Sequence, residues 1–547
     1  MSEPHGVWPT ADLHRIDWRF LLPIPANVRL ARVSVPGATP DQAAELVGAG
    51  LATEVVTAFS PGVKYDGVIV ELRSMAELRE HVGCLSEQGV LYCEVRRTRQ
   101  TALLTPRQLR ERLRALGLTV AATYLVRPTI GPGQAYLPLG SGRAVEWFLD
   151  YKANTRTRAR CIADRVARFV ARRAHRLLEA SARRYAVVAV AGSDRTTHPW
   201  VFNHPALPSE LRERGDALLL APSADDHRRV IVLAFPAGHP APTIALKVPR
   251  RADGNATSER EQATLRHLRA ALDGNLRQAL PTPLGLHRNG GLASAAEAVL
   301  PGKPLSTLFT GCRMRRTEQV ELFERAAGWL TEFQRAAPTD STPLTAGEMD
   351  DWVVEPLRSY EVLFDVGDAE RALLQRIGRL IAAVNGRMLP LVREHWDFYP
   401  NNIIWDGRHI GVIDWEASAV SLPMFDLLYL AARTNDLLHD ATGAAARRAA
   451  LGRLMSKPIG EDPFIQAVYR VIGRYIDALR IDQCWVPVLA TLAWVVRAIE
   501  RAGEYQPPEG AAADPEANEY VGFVAQLAAD LDGGSFAADS LLGLWYA

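Results

Sequence analysis

The sequence is poor in cysteine and has no long apolar run. Among its 547 residues are five widely separated cysteines without a CxxC pair: Cys84, Cys93, Cys161, Cys312 and Cys484. This argues against a disulfide framework or a zinc site and indicates a reducing compartment. The first residues lack the basic and apolar regions of a signal peptide, and no uncharged run reaches the ~18 residues of a membrane span. We therefore expect a cytoplasmic protein.

Neither charge is in excess. Lysine and arginine number 63 against 62 aspartate and glutamate, a formal net charge of +1. No global field would attract nucleic acid, and we expect no nucleic-acid partner. The 48% of hydrophobic residues is ordinary for a soluble globular protein, and the length predicts at least two domains.

Short apolar runs alternate with helical stretches over residues 1–150. The runs are VRLARVSV, EVVTAF, YDGVIVEL, GVLYCEV and TVAATYLV, and helices are predicted over 74–85 and 106–116. Strands separated by helices imply crossover connections and a largely parallel sheet. The sequence therefore predicts an α/β Rossmann-like layer.

This layer lacks the residues that grip a cofactor. Gly37 stands alone in SVPGATPD, where a Gly-x-Gly turn would be needed, and EVVTAF ends without a carboxylate for a ribose. The run from YDGVIVEL to GVLYCEV nevertheless resembles the second half of a class I methyltransferase fold. We interpret residues 1–150 as a degenerate methyltransferase-like domain with a structural or partner-binding role; a bifunctional methyltransferase and kinase is the alternative.

Residues 151–214 are predicted to form a basic helix and a connector. From Arg156 to Arg184 the chain carries ten arginines and two acids, with apolar residues at roughly helical spacing. One interpretation is an interdomain helix with a solvated arginine face. The other is a peripheral contact with an anionic membrane surface or a protein partner.

A lysine on an apolar strand is the first sign of chemistry. Lys247 lies in TIALKVPR, the third predicted strand after residue 215, and a helix follows that carries Glu259 and Glu261. Such a lysine can pair with a helix glutamate and reach nucleotide phosphates. We prefer Glu261 because it leads into the apolar register of the helix. Glu297 lies at the end of a later strand, at a predicted hinge, and we assign it to the nucleotide side as well.

The segment HWDFYPNNIIWDGRHIGVIDWE carries the most specific pattern. His395, Asp397 and Asn402 have the spacing H-x-D-x-x-x-x-N, and Asp414 ends the strand HIGVID. Phosphoryl transfer needs a carboxylate to accept the proton of the attacking hydroxyl, and an amide and a second carboxylate to hold magnesium.

These motifs resemble those of the aminoglycoside phosphotransferase and choline kinase family, over about residues 215–547. The resemblance implies an α+β two-lobed protein-kinase-like domain, with an N-lobe at 215–304 and a helical C-lobe at 305–547. It implies that Asp397 is the catalytic base, that Asn402 and Asp414 bind Mg²⁺, and that Lys247, held by Glu261, contacts the phosphates of ATP or GTP. His395 would brace the loop, and Asp426 would be architectural.

Two departures from the family pattern bear on activity. Trp396 stands where the family has a glycine, and the turn PSADDHRR over the phosphates has none. Asp225 and Asp226 would repel phosphate there, and Arg228 or Arg229 would compensate. The alternative to an active enzyme is therefore a pseudokinase scaffold.

The prediction as a whole is an ATP- and Mg²⁺-dependent phosphotransferase that acts on a small-molecule hydroxyl. Acidic residues of the helical lobe, such as Asp350 and Asp351, would meet a cationic acceptor or form ordinary acidic helix surface. The identity of the acceptor does not follow from these motifs.

Overall fold

The structure is a computed structural model that describes residues 13–24, 29–60, 62–72, 74–97, 105–128, 134–151, 158–173, 175–192, 198–221, 229–310, 314–339, 344, 348–384, 387, 389–504 and 518–546. Contacts divide the chain into two compact units. The first comprises residues 1–153, 157–263 and 282–299, and the second comprises residues 154–156, 264–281 and 300–547.

A twelve-stranded sheet forms the frame of the first unit. Its strands are β1 (Leu30–Ser34), β2 (Ala52–Val56), β3 (Tyr65–Glu71), β4 (Leu85–Arg96), β5 (Leu118–Pro128), β6 (Gln134–Pro138), β7 (Arg184–Ala191), β8 (Asp216–Ala221), β9 (Arg229–Phe235), β10 (Ile244–Pro249), β11 (Pro283–Asn289) and β12 (Leu292–Ala298). Their order is β11-β12-β10-β9-β8-β6-β5-β7-β4-β3-β1-β2.

Helices connect and flank these strands. They are α1 (Pro40–Gly48), α2 (Met75–Gly83), α3 (Pro106–Ala115), α4 (Gly142–Tyr151), α5 (Arg158–Arg173), α6 (His175–Ser181), α7 (Ser209–Arg214) and α8 (Asn255–Ala271), whose last residues belong to the second unit, with 3-10 turns at Leu13–Leu21, Trp200–Asn203 and Ala252–Gly254. Two begin as the sequence indicates: Ser74 caps α2, and Thr105 forms a capping box with Gln108 before α3.

The prediction of a largely parallel sheet is right for only part of the layer. Strands β2, β1, β3 and β4 are mutually parallel. Strand β7 pairs antiparallel with both β4 and β5, and β5 to β6 and β6 to β8 are antiparallel as well. Strand β7 lies between β4 and β5 and is antiparallel to both, so the parallel series ends at β4.

The sheet is continuous across the predicted boundaries at residues 150 and 215. Gln134 to Tyr136 of β6 pair with Leu219 to Ala221 of β8, so hydrogen bonds join the N-terminal strands to those expected of the kinase-like N-lobe. The first unit therefore contains both sets of strands.

One buried core follows the inner face of the sheet. Every strand except β11 contributes to it, and Trp18, Phe20 and Leu21 of the first 3-10 turn are buried in it. Asp17 of the same turn forms a fully buried ion pair with Arg250 at 2.8 Å. At the rim, a Cβ on Gly50 would lie 3.5 Å from the carbonyl oxygen of Gly290. The turns before β2 and between β11 and β12 thus meet, and the sheet curls around its core.

The predicted helix over Arg156–Arg184 is shorter than expected. The structure has α5 and then α6, and β7 begins at Arg184. The reason lies in YAVVAV, residues 185–190, whose β-branched side chains are buried as the central strand between β4 and β5. Burial on both faces of a sheet outweighs the helical period of the arginines before it.

The second unit is mainly helical. Its strands are β13 (Lys303–Pro304), β14 (Val392–Glu394), β15 (Ile403–Trp405), β16 (Ile410–Val412) and β17 (Ala419–Ser421). Its helices are α9 (Gly274–Gln278), α10 (Leu305–Phe309), α11 (Arg316–Ala336), α12 (Glu355–Leu363), α13 (Asp368–Val384), α14 (Phe425–Leu438), α15 (Ala444–Ser456), α16 (Pro463–Leu479), α17 (Val486–Glu504), α18 (Glu519–Asp532) and α19 (Leu541–Tyr546), with a π turn at Asp350–Val354 and 3-10 turns at Ile459–Glu461 and Gln483–Trp485.

A single apolar core holds these helices together. Helix α14 lies inside it: twelve consecutive residues from Phe425 to Asp436 are buried. Helix α11 contributes the stacked rings of Trp329 and Phe333, and Trp329 also stacks on Phe398 of the loop after β14. The loop that carries the H-x-D motif is thereby anchored to the core.

Candidate active site

Three charged residues of the first unit, Lys247, Glu297 and Arg229, share one face of the sheet. Lys247 on β10 lies opposite Ala295 of β12 and Ile231 of β9. Glu297 lies two residues after Ala295 on β12, and Arg229 lies two residues before Ile231 on β9. Because side chains alternate between the faces of a sheet, all three point to the same side. The intervening Leu246 and Val248 point into the core of the first unit.

Helix α8 brings Glu261 over this face. The side-chain amide of Asn255 donates to the carbonyl of Gly291 at 2.8 Å, and its oxygen accepts from the amide of Ala293 at 2.7 Å. About two turns further along α8, the side-chain amide of Gln262 donates to the carbonyl of Ala296 at 3.3 Å. These two attachments to the β11–β12 hairpin and to β12 fix the position of Glu261, which is fully buried.

Glu261 accepts hydrogen bonds from two cations. The Lys247 ammonium donates to one of its oxygens and the Arg229 guanidinium to the other. The second carboxylate, Glu297, has an oxygen 3.2 Å from the Lys247 nitrogen. The structure thus brings Lys247, Glu261 and Glu297 together. Glu259, the residue that we did not prefer, forms an exposed pair with Arg288.

The two carboxylates of this cluster differ in their protonation. Burial by itself would raise the pKa of Glu261, but the charges of Lys247 and Arg229 and their hydrogen bonds outweigh it and lower the pKa to about 2. Burial, followed by the negative charge of Glu261, raises the pKa of Glu297 to about 7. Glu261 is therefore ionised throughout the physiological pH range, whereas Glu297 titrates near neutral pH.

Arg229 is paired with Glu261. Its guanidinium is buried against Glu261, so it serves the ion-pair cluster. The rest of the turn, with Asp225, Asp226 and Arg228, lies outside the described residues. The sequence did not reveal that Arg229 pairs with Glu261, because nothing in PSADDHRR indicates the direction of its side chain.

The loop with the H-x-D motif follows β14 in the second unit. The amide of Asp397 donates to Nδ1 of His395 at 3.3 Å, and Nε2 of the same ring lies 3.1 Å from the carbonyl oxygen of Ile413. Since Nδ1 accepts a hydrogen bond, the proton is on Nε2 and is donated to Ile413. His395, fully buried against Trp415, thus ties the loop to the strand that leads to Asp414.

Asn402 holds the Asp397 carboxylate. Its side-chain nitrogen donates to Oδ2 of Asp397 at 2.9 Å and to the Asp397 carbonyl at 3.0 Å. The carbonyl of Asn402 accepts from the amide of Ile413 at 3.0 Å, which continues the β15–β16 pairing. The predicted residues Asp397, Asn402 and Asp414 are thereby joined through a few hydrogen bonds.

Two residues of this loop have left-handed backbone. Trp396 has φ 68° and Asp414 has φ 73°. A glycine at position 396, as in the resembling family, would adopt this conformation without strain, whereas a tryptophan adopts it at a cost. The Trp396 carbonyl accepts from the Arg497 guanidinium at 3.0 Å, and its ring lies 5.5 Å from that of Phe425. These contacts hold the loop in the required conformation.

Buried acids behind the loop complete its support. Asp426 accepts from the backbone amide of His395, and Glu394 accepts from the amides of Phe425 and Asp426 at 3.2 and 3.0 Å. Burial, followed by the charge of Asp426, raises the pKa of Glu394 well above its ordinary value, which favours the protonated acid. Asp426 has the contacts of an architectural residue. Sequence reasoning did not find Glu394 or Arg497.

The donor set around Asp414 fits a hard cation. The carboxylate oxygens of Asp414 and Glu416 lie within 4.8 Å of one another. Because the amide nitrogen of Asn402 is directed at Asp397, its amide oxygen is the atom left to bind a metal. Carboxylate and amide oxygens are the ligands that Mg²⁺ takes in proteins, usually together with water. Glu416 belongs to the quoted IDWE motif, but we did not assign it from the sequence.

Comparison with known proteins identifies part of the chain. Residues 234–458 match the phosphotransferase enzyme family. The chain contains a domain of this family. The match covers Lys247, Glu261, Asp397, Asn402 and Asp414, and it supports an enzyme that transfers phosphate to hydroxyl groups. Because it begins at residue 234, the resemblance of residues 1–150 to methyltransferases remains a prediction. No curated protein matches the chain.

Solved structures with partial likeness include three small-molecule kinases. A glucosamine kinase is 18% identical, with 56% of this chain and 76% of that chain covered and a TM-score of 0.35. A choline kinase from Cryptosporidium parvum is 12% identical, with 60% and 93% covered and a TM-score of 0.36. The macrolide 2'-phosphotransferase MphH from Brachybacterium faecium is 17% identical, with 52% and 90% covered and a TM-score of 0.32.

Proposed function

We propose that the phosphotransferase domain transfers the γ-phosphate of ATP to a hydroxyl group of a small molecule. The arrangement of Asp397, Asn402 and Asp414 carries this proposal. The side-chain amide of Asn402 orients the carboxylate of Asp397. A backbone hydrogen bond joins Asn402 to Ile413, and the second carboxylate, Asp414, is the next residue. Phosphoryl transfer requires such a set of two carboxylates and an amide.

Asp397 acts in this proposal as the base. Its Oδ2 accepts from Asn402 and is held in place, so its other oxygen can orient the acceptor hydroxyl and take its proton as the bond to phosphorus forms. The half-buried position of Asp397 allows a substrate to approach. A magnesium ion, when bound by Asp414, Asn402 and Glu416, would offset the charge of the phosphates.

Lys247 supplies the nucleotide side. Its ammonium is directed by Glu261 and Glu297, and it would contact the phosphates of ATP. The low pKa of Glu261 keeps an anion beside this lysine throughout the physiological range. We place the nucleotide-binding lobe within residues 215–304 and the acceptor-binding helices within 305–547.

An ATP-consumption screen tests the proposal. The purified full chain is assayed with Mg²⁺ against sugars, aminoglycosides, amino alcohols and nucleosides, and we expect turnover with at least one class. Asp397→Asn should lower that turnover ~100-fold or more, the scale of a positioned acid-base group. Asp368→Asn is the matched control, since Asp368 is fully exposed and pairs only locally with Arg371. Equal turnover in both variants would refute the role of Asp397.

Metal dependence gives a second test, which needs no acceptor. ATP should raise the midpoint of thermal unfolding in Mg²⁺ and not in chelator, and at ~100 times the dissociation constant the stabilisation is about 2.7 kcal/mol. Asp414→Ala should abolish most of the rise, whereas Asp368→Ala should retain it. A rise of equal size in chelator would place nucleotide recognition elsewhere. No rise at all, together with no turnover, would favour the scaffold alternative.

A further inference from the structure

Helix α5 exposes its apolar side. Ile162, Val166 and Phe169 are 62%, 55% and 65% exposed. At about 100° per residue, these positions fall within about 60° around the helix, so they form one continuous apolar stripe. A helix of a globular protein normally turns such a stripe toward its core.

The opposite side of α5 faces the protein. Ala171, which is fully buried, lies about 180° around the helix from Ile162. Arg168 forms an ion pair with Asp150 at the end of α4, and α4 is the helix on which α5 packs. The stripe is therefore directed outward by the way the helix is attached. Single exposed apolar residues are common on protein surfaces, but three on one stripe mark an interaction surface.

Arginines border this stripe. Arg165, Arg172 and Arg173 are all exposed, within about 90° of its centre. Between residues 156 and 184 the sequence has ten arginines and two acids. One of those acids, Glu179, is engaged by Arg110 of α3 at 3.0 Å. The described surface beside the stripe thus carries three exposed arginines, although the whole chain has a net charge of only +1.

We propose that α5 docks on an anionic lipid surface. The apolar stripe would enter the boundary between headgroups and acyl chains, and the arginines would contact lipid phosphates. A second copy of the chain is a poorer occupant, because two such helices would bring like charges together. Within the described ranges no helix is long and apolar enough to cross a membrane, so the contact we propose lies along the surface. This proposal does not depend on the phosphotransferase activity.

Co-sedimentation of the full chain with vesicles tests this docking. We expect binding to vesicles of equimolar phosphatidylcholine and phosphatidylglycerol, and little binding to phosphatidylcholine alone. Phe169→Glu should lower the partition coefficient by about tenfold or more, because it removes a buried ring from the contact and adds a repelled charge. Val362→Glu is the matched control: Val362 is 85% exposed on α12, and this change should leave binding unaltered.

A second pair of variants tests the electrostatic part. The double change of Arg165 and Arg172 to glutamate should weaken binding to anionic vesicles. The same double change at Arg112 and Arg114, exposed on α3, should have little effect. Added salt should weaken the wild-type interaction. Thermal midpoints equal to wild type show that the variants fold.

Three results would overturn the proposal. They are no binding to anionic vesicles, equal binding to both vesicle types, and a Phe169→Glu variant that binds like wild type. Sedimentation velocity without lipid distinguishes the rival occupant: a dimer that Phe169→Glu converts to monomer would assign the stripe to a second copy of the chain.

Discussion

The two units of the chain keep a buried glutamate in opposite ways. Glu261, in the first unit, is surrounded by Lys247 and Arg229, which lower its pKa to about 2. The pKa of Glu394, in the second unit, is raised well above its ordinary value by burial and then by the negative charge of Asp426, although the side chain also accepts hydrogen bonds from two backbone amides. Both side chains are fully buried.

The difference reflects what each glutamate has to hold. Glu261 directs a flexible ammonium, and only a full negative charge does this well. Glu394 fixes the start of α14, whose Asp426 in turn holds the amide of His395. A backbone can be held by neutral hydrogen bonds, and these avoid the cost of burying an unpaired charge. The cluster around Glu261 is thus organised by charge, and the H-x-D loop is organised by hydrogen bonds.

Removing the charge of Glu261 should have the largest effect on stability. Glu261→Gln leaves Lys247 and Arg229 buried beside a neutral group, and breaking a buried pair costs about 3 to 5 kcal/mol. We expect the lower end of this range, because Glu297 can ionise and take over part of the role. Urea unfolding measures the change. Glu259→Gln is the control, and loss of its exposed pair with Arg288 should cost less than about 1 kcal/mol.

The pH dependence of stability should separate the two carboxylates of the charged cluster. The folded pKa of Glu297 is about 7 against an ordinary 4.5, so the folded protein keeps a proton that the unfolded chain loses. Stability from this group therefore falls as the pH rises from about 4.5 to about 7. Glu297→Gln should flatten that fall by more than about 1 kcal/mol. The curves come from urea unfolding at several pH values.

Glu261 changes the pH dependence of stability in the opposite direction and in a lower pH range. Its lowered pKa adds stability above pH 4.5, which is lost as the pH falls toward about 2. The Glu297→Gln variant should keep this acid-side loss. A curve for Glu297→Gln that is parallel to wild type between pH 4.5 and 7 would contradict the raised pKa.

The smallest expected effect on stability concerns the backbone of the H-x-D loop at Trp396. Trp396→Ala and Trp396→Gly both remove the ring, but only glycine relieves the left-handed φ of 68°. The glycine variant should therefore be more stable than the alanine variant by about 1 kcal/mol. Thermal or urea unfolding of the two variants side by side measures this difference. An alanine variant of equal stability would show that the loop changes its conformation once the ring is gone.

Local pattern was sufficient to predict the pairing of Lys247 with Glu261. We preferred Glu261 to Glu259 because Glu261 leads into the apolar register of Leu265 and Leu268. In the structure Lys247 donates to Glu261, whereas Glu259 forms an exposed pair with Arg288. The same reasoning did not reveal Arg229 as a third member, because the direction of a side chain at a strand end depends on what packs over it.

Arg497 shows the limit of pattern more clearly. It lies on α17, about a hundred residues beyond the loop, yet its guanidinium donates to the carbonyl of Trp396 and lies 3.9 Å from the ring centre of Tyr429. Neither the helical period of α17 nor the loop motif indicates this contact. Only the packing of α17 on α14 brings the two segments together.

The sequence by itself determined the chemistry of this protein: which side chains stand on a strand, on a helix or in the H-x-D loop, and hence which can serve phosphoryl transfer. Such information is local, since periodicity and spacing are set by neighbours in the chain. Only the tertiary structure decided that β7 separates β4 from β5, that one sheet runs through both predicted domains, and that α5 turns its apolar stripe outward. These outcomes depend on how segments that are distant in the sequence pack against one another. The local sequence pattern of a single segment does not contain that information.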